Sequence, residues 1–215
     1  MKSKGTDMNQ RERAGTDSHV RRSPERIGGR LLVIGYGNPL RSDDGLGWMI
    51  AKKLAKRIGK SATVLSVHQL TPELAEAISE ADLVIFIDAC CEGAPGSWQC
   101  ETIRGALAPS QTFAHHLTPA TLLIYARVVL SAEPAAILVS VAGESFEYGR
   151  NLSPSVAAIV PEIVSMVSEW WKASVGTSEP RFRLAPLSLL RPIGPSNCGG
   201  QVGCILRHGP PSTEA

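Results

Sequence analysis

Five short apolar runs punctuate the middle of the chain, and stretches with helical spacing lie between them. The first run is Leu31-Leu32-Val33-Ile34, followed by a loop at Gly35-Tyr36-Gly37-Asn38-Pro39. From Asp44 to about Ile58, apolar residues recur at Leu46, Met49, Ile50 and Leu54, which is one face of a helix. Gly59 ends that stretch as a helix C-cap does. Residues 62–67 make a second strand. Thr71-Pro72-Glu73 predicts a helix start, with Thr as N-cap and Pro first in the helix, running to about Ser79. Residues 83–87 form a continuous apolar strand that ends at Asp88. Residues 97–103 read as a more polar strand near a sheet edge. Thr118-Pro119 repeats the helix-start signal, and that helix runs to about Leu130. Residues 136–142 form a last buried strand, and Ser153-Pro154 opens a final helix ending near Trp171.

The resulting order is β-α-β-α-β-β-α-β-α. Strands that are apolar throughout, rather than alternating, are buried on both faces. That is the mark of a mostly parallel sheet with helices on each side, a three-layer α/β/α domain. A chain of 215 residues, 43% hydrophobic, suits one such domain with tails. Residues 1–28 are polar and without periodicity, which predicts a disordered extension or an over-extended start. The domain is expected at 29–172. Residues 173–215 are rich in Pro, Gly and Ser and are expected to be a disordered tail.

Charge separates along the same boundaries. Residues 29–172 carry 11 Lys/Arg against 14 Asp/Glu, while both ends are net basic. The expected domain is therefore mildly acidic and lacks the basic patch that nucleic-acid binding needs. No stretch approaches the ~18 apolar residues of a membrane helix. Arg21-Arg22 leads into no apolar segment with a cleavage site, so we expect a cytoplasmic protein. Five cysteines make no disulfide framework at this length.

In an open parallel sheet, ligands bind beyond the carboxyl ends of the strands. Three pieces of chemistry are expected there: Asp43-Asp44 after the first strand, Asp88 at the end of the third, and His115-His116 before the third helix. Asp44, Asp88 and one histidine would suit a borderline divalent ion such as nickel or zinc and leave positions open for substrate. Asp43 reads better as a helix cap and Asp44 as the ligand. Gly35-x-Gly37 fits a dinucleotide loop poorly, because Leu40 stands where the third glycine belongs and the second strand ends Val67-His68 with no acidic residue to hold a ribose. His68 reads as a structural histidine at a strand end, and Cys90 and Cys91 as small packing residues.

Four ordered motifs carry a resemblance: Gly35-x-Gly37-Asn38-x-Leu40-x-x-Asp43-Asp44-Gly45-x-Gly47, His68-Gln69-Leu70-Thr71-Pro72-Glu73-Leu74, Val84-Ile85-Phe86-Ile87-Asp88-Ala89 and His115-His116-Leu117-Thr118-Pro119. Together they resemble the nickel–iron hydrogenase maturation endopeptidases, over residues 30–172. The resemblance implies a twisted five-stranded sheet. It implies a nickel site at Asp44, Asp88 and His115, where the first acidic position is often Glu in the family. For the chemistry two routes stand open: a nickel held there polarises the scissile carbonyl or a water, or a carboxylate, Asp43 or Asp44, acts as general base on water. Asp44 and Asp88 are the expected catalytic residues, as in an aspartyl-type protease, and Gly35, Gly37, Asn38, Asp43 and His116 are expected to contact substrate. The implied substrate is a hydrogenase large-subunit precursor, cut to remove its C-terminal extension once nickel is in place. The nickel then belongs to the precursor, and the enzyme is expected to be a monomer. A non-catalytic, nickel-dependent escort of the large subunit would keep the same ligands.

Overall fold

The computed structural model describes residues 29–105 and 117–175. Five strands, β1 (Leu31–Tyr36), β2 (Thr63–Val67), β3 (Leu83–Cys90), β4 (Trp98–Ile103) and β5 (Ala135–Ala142), form one sheet in the order β2-β1-β3-β5-β4. All pairs are parallel except β4 with β5. The more polar strand thus lies at an edge, as its composition predicts. Four helices complete the domain: α1 (Leu46–Ile58), α2 (Leu74–Ser79), α3 (Pro119–Leu130) and α4 (Pro154–Val175). The three-layer α/β/α architecture is present.

Side chains of a strand alternate between the two faces of the sheet. Leu31, Val33, Ile85 and Ile87 therefore join α1 and α4 in one core. Leu32, Ile34, Tyr36, Val84 and Phe86 join α2 and α3 in the other. Both faces of β1 and β3 are buried, which explains why these strands show no polar alternation. No helix of the described residues is long and apolar enough to cross a membrane.

Local signals held unevenly. The Thr118 hydroxyl accepts from the Thr121 amide at 3.1 Å, and Pro119 takes the first helical position. Gly59 adopts φ 66° at the end of α1, a conformation that suits glycine. The second helix differs from expectation, because Thr71 does not cap it. The amides of Leu74 and Ala75 donate to the carbonyls of Thr71 and Pro72, a tight turn that delays α2 to Leu74. The first helix is also shifted. Residues 42–45 form a 3-10 turn, and α1 begins only at Leu46.

Candidate functional site

The strand order reverses direction between β1 and β3. From β1 the chain steps outward to β2, then crosses back over β1 to β3. The crevice at such a switch point, beyond the carboxyl ends of the strands, is where an open α/β sheet binds its ligand. Asp44 follows β1 and Asp88 lies near the end of β3, so both carboxylates stand at this crevice.

The turn after β1 is built around close backbone approaches. Gly35 is the fifth residue of β1, not part of the loop, and a Cβ there would lie 2.0 Å from the Gly47 carbonyl oxygen. Gly37 has φ 128°, and its Cβ would meet the carbonyl oxygen of Asp44 at 1.9 Å. The glycines let α1 lie directly against the sheet and let the turn fold back on β1. Asn38 shapes the turn with its side chain, whose Oδ1 accepts from the Leu40 amide at 3.0 Å. Its own amide donates to Asp44 Oδ2 at 2.9 Å, which fixes the Asp44 carboxylate.

Asp88 is the sixth of eight residues in β3 and not the residue after the strand. Ala89 and Cys90 continue pairing with β5. Its Oδ1 accepts from the Ala89 amide at 2.8 Å. Burial raises its proton affinity, and the neighbouring charge of Asp44 raises it further. Hydrogen bonds from the Tyr36 side chain and the Ala89 amide oppose this, and the carboxyl rests at about 7. Two carboxylates this close, 3% and 7% exposed, suit a cation between them.

Asp43 points elsewhere. It caps no helix: neither the 3-10 turn nor α1 has a side-chain cap. Its Oδ2 accepts from the amides of Glu144 and Ser145 at 2.8 and 2.9 Å and from the Ser153 hydroxyl at 2.8 Å. Its Oδ1 accepts from the Ser153 amide at 2.7 Å. Burial alone would raise its proton affinity. The donated hydrogen bonds outweigh burial and hold the carboxyl below its ordinary value. A helix-cap reading of Asp43 missed these partners because they lie about a hundred residues away.

His115 and His116 lie outside the described residues. Among the described residues no three His, Cys, Asp or Glu side chains gather as a metal site would require. His68 is exposed just beyond β2. Cys90 is half-buried, its thiol donating to the Glu92 carbonyl at 3.4 Å, and Cys91 is exposed. Tyr36, which stands between the two glycines, had no sequence signal for its bond to Asp88.

No protein-family model and no curated protein sequence matches the chain. Solved structures do. HybD from E. coli, a hydrogenase maturating endopeptidase, is 27% identical with a TM-score of 0.58, over 67% of this chain and 93% of that one. An endopeptidase from Escherichia coli solved in solution is 27% identical with a TM-score of 0.54, over 64% and 89%. HycI from Thermococcus kodakarensis KOD1, a nickel–iron hydrogenase maturation protease, is 19% identical with a TM-score of 0.58, over 67% and 94%, and speaks for the fold. Fold and site thus define a three-layer α/β protein with paired carboxylates at the switch point of its sheet. With its four ordered motifs, the chain is similar in fold and in sequence to hydrogenase maturation endopeptidases of solved structure.

Proposed function

We propose that the protein is an endopeptidase that removes the C-terminal extension of a nickel–iron hydrogenase large-subunit precursor after nickel insertion. The observation that carries this reading is the pairing of Asp44 and Asp88 at the switch point, buried and like-charged, where a cation would relieve their repulsion.

In this reading the nickel arrives with the precursor and is recognised as part of the substrate. Asp44, Asp88 and His115 hold it, which places the precursor's C-terminal segment over the turn at Gly37 and Asn38. A divalent ion held there supplies Lewis acidity toward a carbonyl or a water. The chain's own contribution is orientation. Asn38 fixes Asp44, and Tyr36 with the Ala89 amide fixes Asp88. A carboxylate of the pair is also the candidate general base toward the attacking water. Asp43 is unsuited to that task, being fully buried and bonded to four donors. A thiol nucleophile at Cys100 is equally unsuited, since burial first and then Glu101 push that thiol up to about 12. His116 stands in the proposal as a substrate contact, and the protein acts as a monomer in the cytoplasm.

The test is to incubate the purified protein with nickel-loaded and nickel-free precursor and weigh the product. Loss of a C-terminal peptide from the loaded form alone is the expected result. Nickel-dependent binding with no cleavage would make the protein an escort of the large subunit instead.

A further inference from the structure

A band of hydrogen bonds joins the turn at residues 40–43 to the β5–α4 loop at residues 144–153. The Ser42 amide donates to the Gly149 carbonyl at 2.9 Å, and the Gly149 amide donates to the Leu40 carbonyl at 2.9 Å. The Asp43 amide donates to the Ser145 carbonyl at 3.0 Å. Arg41 donates through Nε and Nη2 to the Phe146 carbonyl at 3.2 and 3.0 Å, and the Ser42 hydroxyl donates to the Glu147 carbonyl at 3.1 Å. The four donors on the Asp43 carboxylate complete the band.

Two further observations show that the join is tight. Ser42 adopts φ 47°, a left-handed conformation that a serine holds only when its surroundings fix it. The space where Gly149 would carry a Cβ is filled by the Ser42 hydroxyl, 2.6 Å away, and a Cβ on Gly143 would meet the Phe146 ring at 2.5 Å and Asp43 Cβ at 3.1 Å. A charged acceptor with several amide donors is the strongest element of such a join. Asp43 is followed directly by Asp44, whose carboxylate reaches the Asn38 amide.

We propose that Asp43 is a positioning residue: by pinning the β5–α4 loop to the turn it makes the two a single rigid unit, and so fixes where Asp44 stands in the crevice. The inference rests on the peptidase reading above. In place of the substrate contact expected of it, the Asp43 carboxylate here serves donors of this chain. The residue acts through Asp44 on one side and through the loop wall at residues 144–149 on the other.

The experiment uses the full chain with Asp43→Asn. Asparagine keeps one acceptor oxygen but turns an amide toward donors. Two readouts are taken at a temperature where the variant is folded. One is hydrogen exchange at the Asn38 amide, which donates to Asp44 Oδ2. The other is the rate of processing of nickel-loaded precursor. Expected are faster exchange at Asn38 and a loss of processing of about tenfold or more, in line with the sensitivity of catalysis to small misplacements. Movement of only one readout, or of neither, overturns the proposal. In particular, loosening at Glu144 and Ser145 with an unchanged Asn38 amide would make Asp43 a local staple of the loop. Ser153→Ala removes a single donor from Asp43, and if Asp43→Asn does not fold it gives the same two readouts with smaller changes. If the wild-type protein processes no loaded precursor, the peptidase reading fails, and the exchange at Asn38 still decides whether turn and loop are coupled.

Discussion

Gly47, in the first turn of α1, approaches the carbonyl of Ile87 so closely that a β-carbon on Gly47 would fall 2.2 Å from that oxygen. It would also lie 2.5 Å from the carbonyl oxygen of Tyr36. Both neighbours are backbone, which cannot swing aside. Gly47→Ala must therefore lift α1 off β1 and β3. The expected cost is about 1–3 kcal/mol, seen as a fall in Tm of roughly 2–4 °C per kcal/mol. A Tm within error of wild type would mean that the helix slides without penalty.

Removing either carboxylate of the pair separates function from fold. Asp44→Ala and Asp88→Ala are expected to abolish processing of a nickel-loaded precursor, while far-UV circular dichroism stays that of the wild type. Retained processing by one variant would remove that residue from the site.

The pair also sets a pH dependence of stability in the metal-free protein. Asp88 is raised to about 7 from an ordinary 3.8. The folded state thus holds this proton more tightly than the unfolded chain does. Stability from this group is present at low pH, falls as pH rises between about 4 and about 7, and is level above that. Asp43 has the opposite sign. Its lowered carboxyl stabilises the fold above the ordinary value, and that stability is lost as pH falls through the lowered one. Asp88→Asn removes only the first effect. Its Tm relative to wild type is expected to be several degrees higher at pH 8 than at pH 5. An equal difference at both pH values would contradict the raised carboxyl.

Tyr36 gives a sharper reading of the same group. Its side chain bonds the Asp88 carboxylate and favours the charged form. Tyr36→Phe is therefore expected to move the Asp88 titration upward, followed by carbon-13 NMR of the carboxyl. An unmoved midpoint would assign the Tyr36 hydroxyl to another partner.

The core of this fold is written locally. Runs such as Leu31–Ile34 and Leu83–Ile87 are buried on both faces, so their hydrophobicity needs no knowledge of the rest of the chain. Thr118-Pro119 carries its helix start within four residues. The same signal at Thr71-Pro72 misleads, because a tight turn there uses the backbone, and the Thr71 hydroxyl bonds Glu73 instead. Asp88 was legible as a polar residue closing an apolar run, though the strand continues past it because Ala89 and Cys90 still find partners on β5. The partners of Asp43 were not legible. Ser153 lies 110 positions away, and neither Glu144 nor Ser145 has a side-chain pattern, since each bonds through its backbone amide. Such bonds leave no trace in residue type.

That long-range bond has a consequence for the order in which the protein is made. While the ribosome has delivered only the first half of the domain, the turn bearing Asp44 is already present, but Asp43 beside it still lacks every donor that answers its charge. The donors arrive with residues 144–153, after the last strand and at the threshold of the last helix. A nascent chain therefore carries the turn before it carries the loop that braces it. The four hydrogen bonds on Asp43 close only near the end of the domain's synthesis.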